Sequence, residues 1–184
     1  MIPNFNNDGL LPPSDYLLSI AELKTSHLVV GNGSSPHWNT SWRRTLVENL
    51  EKMISQLWQI GITEIYIDGS FVEDKDHPND IDGYFVCELQ DLYNSVPKLN
   101  QIDPCAVWTW EPNSRTPYKN HAKKQLPMWH IYRVELFPHF GQLTGIKDEY
   151  GNDLQFPAVF RKSRRNGIQK GIIKIKDPSG GGGQ

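Results

Sequence analysis

The sequence has only two cysteines, Cys87 and Cys105, among its 184 residues. Two cysteines are too few for a disulfide framework or for the paired-cysteine pattern of a structural zinc site. Cys87 ends an apolar run, and we predict that it is a buried thiol. Free thiols suit a reducing compartment, so we expect the protein to be cytoplasmic.

Long apolar runs and an excess of charge of one sign are also absent. No apolar run approaches the roughly 18 residues that indicate a membrane-spanning helix, and residues 1–5 lack the basic and apolar regions of a secretion signal. The formal net charge is −2, which gives no general basic signal for nucleic acid. We therefore expect a chain without membrane contact, folded as one domain over residues 1–178 with a flexible Gly-rich tail over residues 179–184.

Local patterns predict the first helices. Residues 1–13 contain several prolines and little periodicity, which favours an extended arm. Ser19 followed by Glu22 is a capping-box pattern that predicts a short helix. Apolar residues at helical spacing predict a long core helix over residues 40–59, capped by one of its first two residues and ended by Gly61.

Other local features predict both structure and possible contacts. Arg43 and Arg44 lie in the first turn of the long helix, where positive charge opposes the helix dipole. This placement suits a ligand or partner, but solvated side chains are the simpler interpretation. Further along, we predict a short helix over residues 88–94 that Pro97 ends, and a strand over residues 107–110 because apolar and polar side chains alternate there.

The stretch over residues 65–86 combines features that suit phosphate and metal binding. It is predicted to form a strand, a turn, a polar loop and a second strand. Gly69 allows a sharp turn and a close approach of the backbone to a ligand, and Ser70 can present its hydroxyl and N–H groups to a phosphate. Side chains alternate along a strand, so Asp80 and Asp82 point to one face, where two carboxylates can bind a hard cation such as Mg²⁺.

This pattern resembles the nucleotidyltransferase superfamily typified by DNA polymerase beta. Members carry an apolar strand, Gly-Ser or Gly-Gly, a polar spacer, and then Asp-apolar-Asp. Gly69, Ser70, Asp80 and Asp82 match this pattern, and the wider sequence over residues 68–82 is similar to a small bacterial and phage branch of the superfamily. The resemblance implies a minimal nucleotidyltransferase fold of the α/β class, in which a mixed β-sheet carries helices chiefly on one face.

A third carboxylate is a further candidate for the same site. Glu135 stands in an otherwise apolar run over residues 129–137, which we predict to be a strand. A carboxylate in such a run is costly unless it is paired or bound to metal. The superfamily supplies its third carboxylate from a strand beside the Asp-x-Asp strand, which favours Glu135 for this role. The alternative is a glutamate that faces water on an edge strand.

The resemblance also implies a reaction and its cofactors. The reaction would transfer a nucleoside monophosphate from a nucleoside triphosphate (NTP) to an acceptor. Two Mg²⁺ ions, or Mn²⁺, would be held by three catalytic carboxylates, those of Asp80, Asp82 and Glu135. Gly69 and Ser70 would bind the β- and γ-phosphates, and Lys75 would neutralise charge that develops there.

The sequence departs from better-known members of the superfamily in several ways. An arginine often found just after Gly-Ser is missing, and Glu73 lies near that position. Asp68 precedes the turn, where we expect a supporting role. The basic segment over residues 119–124 is interpreted as a solvated loop, or alternatively as a mobile loop that contacts a triphosphate or a nucleic acid backbone. The basic segment over residues 161–170 contains a turn signal at Asn166-Gly167, and its role stays open. The acceptor stays open between a tRNA, a protein hydroxyl, a small molecule and another nucleotide.

A different class of function is compatible with the same residues. The fold can persist in a catalytically silent interaction protein, such as an antitoxin, a regulator or a phage–host module with a protein partner. The intact set of carboxylates favours the enzyme.

Overall fold

The computed structural model of the chain describes residues 2–119 and 123–178. Its strands, in chain order, are β1 (Asp15–Leu18), β2 (Ile65–Asp68), β3 (Ile81–Val86), β4 (Thr116–Pro117), β5 (Lys124–Gln125), β6 (Val134–His139), β7 (Leu143–Lys147), β8 (Asp153–Gln155) and β9 (Ile172–Ile175). The central sheet has the order β1-β9-β2-β3-β6, and β4-β5 and β7-β8 form two small sheets. In the central sheet β2 is antiparallel to both neighbours, whereas β1-β9 and β3-β6 are parallel pairs. The prediction of a mixed sheet in an α/β protein is confirmed.

The helices lie chiefly on one face of this sheet. They are α1 (Ile20–Thr25), α2 (His27–Val30), α3 (Thr40–Gln59), α4 (Leu89–Ile102), α5 (Pro127–Tyr132) and α6 (Phe156–Val159). Apolar residues of α1 to α5 share one core with inward-facing residues of β2, β3, β6 and β9. The other face carries a smaller cluster, which consists of Tyr66, Tyr84, Phe160 and Ile172. Within the described residues, no helix has both the length and the apolar character needed to cross a bilayer.

Helices α1 and α3 follow from their local sequence. Ser19 and Glu22 form the predicted capping box of α1. The apolar stripe of α3 is fully buried and comprises Leu46, Leu50, Met53, Ile54 and Leu57. Its N-cap is Asn39, whose side chain accepts a hydrogen bond from the N–H of Trp42, so the predicted cap lay one or two residues too late. Gly61, with a φ of 85°, follows the last turn as predicted.

The prediction that Pro97 ends a short helix is wrong. Helix α4 continues through Pro97 to Ile102. Proline removes one hydrogen bond from a helix, but the next turn buries Leu99 completely in the core. This burial of apolar surface favours continuation of the helix beyond the proline.

The predicted strand over residues 107–110 is not formed. The side-chain amide of Asn100 accepts a hydrogen bond from the N–H of Trp108 at 2.8 Å and donates one to its carbonyl oxygen at 2.9 Å. These two bonds satisfy the backbone groups that a neighbouring strand would otherwise satisfy. The indole N–H of Trp108 is bound to Gln56 at 2.6 Å, so the side chain is directed into the helical core.

The predicted strand over residues 129–137 begins too early. Its first part belongs to α5, in which Pro127 occupies one of the first helical positions. Arg133 ends this helix in the left-handed region, with φ 56° and ψ 36°, and β6 starts at Val134. The apolar residues of this segment fit the periodicity of a helix as well as that of a strand. The left-handed conformation of Arg133 therefore marks where the helix stops.

Cys87 is more exposed than predicted. Cys87 is half-buried rather than buried, and Cys105 is exposed. The Gly-rich tail over residues 179–184 and His121 of the basic segment 119–124 lie outside the described residues.

Candidate functional site

Three carboxylates form a row across one edge of the central sheet. Asp68, the last residue of β2, is paired in register with Asp82 of β3, and Asp82 is paired with Glu135 of β6. Residues that are paired in register point to the same face of a sheet. Because the alternate residues Ile67, Ile81 and Val134 belong to the helical core, the row faces away from the helices.

The turn after β2 contacts this row directly. Gly69 has a φ of 73°, in the left-handed region, and begins a short 3₁₀ turn over residues 69–72. A Cβ atom at this position would collide with Oδ2 of Asp82. Glycine therefore allows both the backbone conformation and the close approach of the turn to the carboxylate.

A cavity of about 900 Å³ opens above the row. It is lined by five of the residues predicted for the site, namely Gly69, Ser70, Lys75, Asp80 and Asp82. Glu135 is not part of the lining but lies beside Asp82 on the next strand, with 5% of its surface exposed. The strand–turn–strand pattern thus assembles at one place, and the functional roles of these residues stay predictions.

The electrostatic environment of Asp82 favours binding of a cation. Burial, together with the negative charges of Asp80 and Glu135, raises the pKa of Asp82 to about 7. In the described part of the chain, no group donates a hydrogen bond to the Asp82 carboxylate. A partly exposed carboxylate with carboxylate neighbours and no donor can be stabilised by a divalent cation.

Asp80 and Glu135 have partners of their own. The indole N–H of Trp129 donates a hydrogen bond to Oδ2 of Asp80 at 2.7 Å. Burial raises the pKa of Glu135, opposed by the N–H of Leu126 and the charge of Arg115. The N–H of Leu126 lies 3.4 Å from Oε1 of Glu135, and Nη1 of Arg115 lies 3.7 Å from the same oxygen.

Two carboxylates of the site, those of Asp80 and Asp82, fit a hard cation. Among residues 2–119 and 123–178, no three His, Cys, Asp or Glu side chains form a ready-made metal centre. Mg²⁺ is commonly bound by one or two carboxylates, with water and substrate phosphates as the other ligands. Asp80 and Asp82, beside the Gly69-Ser70 turn, meet that requirement, and the predicted third ligand, Glu135, stays a prediction.

Comparison with known proteins places the chain in a family. A family model covers residues 3–176, and it describes a family of unknown function, DUF6932. The chain belongs to the DUF6932 family. No curated protein matches the chain significantly, and no solved structure does. The matched range includes all the site residues discussed above.

A buried lysine in this DUF6932 protein supports the turn and was missed by sequence reasoning. Nζ of Lys170 is 2.8 Å from Oε1 of Glu73, 3.1 Å from Oδ1 of Asp68 and 2.9 Å from the carbonyl oxygen of Gly69. Lys170 is only 3% exposed, and Arg165 binds the other oxygen of Glu73 at 3.1 Å. Glu73 is therefore a partner of basic residues, and Asp68 shares Lys170 with it, while its supporting role stays a prediction. The signal in the sequence was a lysine two residues before the apolar strand β9.

Burial has a strong effect on Asp68 as well. It raises the pKa of Asp68 to about 7, although the positive charge of Lys170 acts in the opposite direction. Two neighbouring carboxylates of the row, Asp68 and Asp82, therefore change charge near neutral pH.

The interpretation of Arg43 as solvated is wrong. Its guanidinium is fully buried and donates to four carbonyl oxygens, those of Leu28, Phe71, Glu73 and Lys75. Its Cζ atom also lies 3.8 Å from the centre of the Trp38 ring. Burial lowers the pKa of Arg43 to about 9. Arg43 thereby fixes the loop that follows the Gly69-Ser70 turn, whereas Arg44 is exposed as predicted.

Proposed function

We propose that this DUF6932 protein is a metal-dependent nucleotidyltransferase with a minimal fold like that of DNA polymerase beta. It would transfer a nucleoside monophosphate from an NTP to the hydroxyl group of an acceptor. The observation that carries the proposal is the contact between the Gly69 turn and Asp82, in a cavity that also contains Asp80. The position of Glu135, in register with Asp82 on the next strand, supports it further.

The residues of the cavity suit distinct parts of this reaction. Asp80 and Asp82 would hold Mg²⁺ or Mn²⁺, which when bound stabilises the negative charge of the triphosphate. Gly69 and Ser70 would bind the β- and γ-phosphates through the backbone N–H and hydroxyl groups of the turn. Lys75, on the cavity wall, would neutralise the charge that develops on the leaving group.

The proposed chemical step is a displacement of pyrophosphate at the α-phosphorus of the NTP. The acceptor oxygen forms a bond to the α-phosphorus as the bond from that phosphorus to the bridging oxygen breaks. Pyrophosphate leaves with the electron pair, and the proton of the attacking hydroxyl passes to a carboxylate. Glu135, buried beside Asp82 on the next strand, would complete the group of carboxylates at the reacting end of the site. A tRNA end, a protein hydroxyl and a small molecule are the candidate acceptors, and a cytoplasmic setting suits the free thiols.

A second candidate, favoured by the partners of two carboxylates, is a catalytically silent nucleotide-binding protein. Trp129 already binds one oxygen of Asp80, and Arg115 lies near Glu135. Both contacts would have to yield if three carboxylates were to share metal ions. In this case the chain would act as an antitoxin, a regulator or a phage–host module, and nucleotide binding would control its protein partner.

A transfer assay with a matched variant tests the proposal. The protein is incubated with each α-labelled NTP, Mg²⁺ or Mn²⁺ and a cell extract, and label in products and released pyrophosphate are measured. The double variant Asp80→Asn and Asp82→Asn should lose transfer activity. The control is the double variant Asp91→Asn and Asp153→Asn at two exposed positions, which should keep the activity. Metal-dependent NTP binding without transfer would support the silent protein, and the absence of both would contradict the proposal.

A further inference from the structure

The side of the cavity that lies away from the Gly69 turn has its own cationic group. At one edge of the central sheet β2 ends where β3 and β6 begin, in the order β2-β3-β6. Neighbouring strands are about 4.8 Å apart, so the start of β6 lies roughly 10 Å from the end of β2. Arg133 immediately precedes β6 and lines the cavity. The Asp82 carboxylate therefore lies between the turn on one side and Arg133 on the other.

Arg133 is held in an unusual backbone conformation. Its φ of 56° is in the left-handed region, which costs a residue other than glycine about 1 kcal/mol or more. The backbone is fixed from both sides, since its N–H donates to the carbonyl of Trp129 and its own carbonyl accepts from Ile81, both at 3.0 Å. Residues held in sparsely populated conformations cluster at functional sites, where the surrounding structure determines their geometry.

The guanidinium of Arg133 packs against two aromatic rings that are inclined to each other. Its Cζ atom is 3.8 Å from the centre of the Trp129 ring and 4.1 Å from the centre of the Tyr118 ring. The two rings are inclined at 72° with their centres 5.1 Å apart, so they form a corner that holds the guanidinium. A guanidinium carries five N–H donors, and the hydroxyl of Tyr118 takes up only part of this set. In residues 2–119 and 123–178, no carboxylate forms an ion pair with Arg133. An arginine that is fixed at the cavity wall in this way suits binding of a phosphate through charged hydrogen bonds.

The same aromatic residue connects Arg133 to the proposed metal ligands. Trp129 presents its ring to Arg133 and donates its indole N–H to Asp80 at 2.7 Å. Lys123, which is exposed, lines the same side of the cavity. An anion bound by Arg133 and Lys123 would therefore lie next to the carboxylate at which the chemistry is proposed to occur.

The cavity has other cationic groups besides Arg133 and Lys123 for a triphosphate. Lys75 and Arg164 line it, and the charge of Arg164 acts on Asp82. Lys162 and Arg165 also line it, but they form ion pairs with Glu149 and Glu73. The total volume of about 900 Å³ is near the upper end of the range of about 300–1,000 Å³ for small-molecule sites. The cavity thus has room and charge for a second ligand beside the triphosphate.

We propose that Arg133, assisted by Lys123, binds a phosphate group of the acceptor. This inference rests on the proposed function and narrows the acceptor to a hydroxyl compound that carries phosphate. The phosphate can belong to a small molecule or to the terminal nucleotide of a strand. Binding it beside Trp129 directs the acceptor hydroxyl towards Asp80 and Asp82, while the triphosphate occupies the Gly69 side.

Binding of a second ligand tests this inference without the need for turnover. The protein is saturated with Mg²⁺ and a non-hydrolysable NTP analogue, and adenosine 5′-monophosphate or adenosine is then titrated by calorimetry. A short oligonucleotide with and without a terminal phosphate forms the second arm and distinguishes a strand from a small molecule. We expect the phosphorylated ligand of at least one arm to bind, and its unphosphorylated counterpart to bind at least tenfold more weakly.

Variants of Arg133 identify the group responsible. Arg133→Gln should lower the affinity for the second ligand by about tenfold to a hundredfold, as expected for loss of a charged hydrogen bond. The affinity for the NTP analogue should not change. Arg133→Lys should restore part of the binding, and Arg44→Gln on the exposed side of α3 serves as the control. The inference is overturned if neither phosphorylated ligand binds, or if Arg133→Gln binds it as tightly as the wild type. If the second ligand binds through Arg133 but the protein has no transfer activity, the phosphate site is supported. Only the proposed reaction is then contradicted.

Discussion

Replacing Asp82 by Asn should stabilise the metal-free protein at alkaline pH. The folded protein raises the pKa of Asp82 from 3.8 to about 7, chiefly by burial. Folding therefore favours the protonated form, so the contribution of Asp82 to stability is greatest at low pH and is lost as the pH rises through 7. Asparagine has the shape of the protonated acid and no charge. A difference of about three pH units corresponds to at most about 4 kcal/mol in the free energy of unfolding.

Urea unfolding at several pH values measures this effect. Without metal, Asp82→Asn should exceed the wild type in free energy of unfolding at pH 8, and the difference should shrink towards pH 4. The exposed Asp153→Asn serves as the control for loss of one negative charge. Mg²⁺ should reverse the order at pH 8, because metal ligands must be deprotonated and only the wild type keeps both aspartates. A variant that is less stable than the wild type at pH 8, or a difference that does not change with pH, would refute the reasoning.

Two further predictions concern the residues that shape the site. Gly69→Ala should be more destabilising than Gly33→Ala in urea unfolding, because both glycines have positive φ but only at Gly69 does a Cβ atom meet Asp82; equal losses would show that the contact with Asp82 is unimportant. Arg43→Met should cost about 3 kcal/mol or more, because four carbonyl groups lose a buried charged donor. The exposed neighbour Arg44→Met should change stability by about 0.5 kcal/mol or less, and similar losses at both positions would contradict the assignment of Arg43 as a structural link.

Features that depend on neighbouring residues were predictable from the sequence. The capping box of α1 and the apolar stripe of α3 follow from spacing within a few turns of helix. The turn at Gly69 and the pair Asp80 and Asp82 lie within one strand–loop–strand unit, so alternation along the strand brought them to one side. Glu135 was identifiable because a carboxylate in an apolar run needs a specific reason to be there.

Only the tertiary structure decided the contacts between distant segments. Lys170 binds the carbonyl of Gly69 across 101 positions of sequence, and Trp129 binds Asp80 across 49 positions. No local periodicity encodes such pairs, because they arise when β9 and β6 join the sheet beside β2 and β3. Arg43 looked like a surface residue of an amphipathic helix, and it is buried because the loop after Gly69 folds over it. The motif thus determined which residues could form a site, and the order of strands determined which basic and aromatic residues surround it.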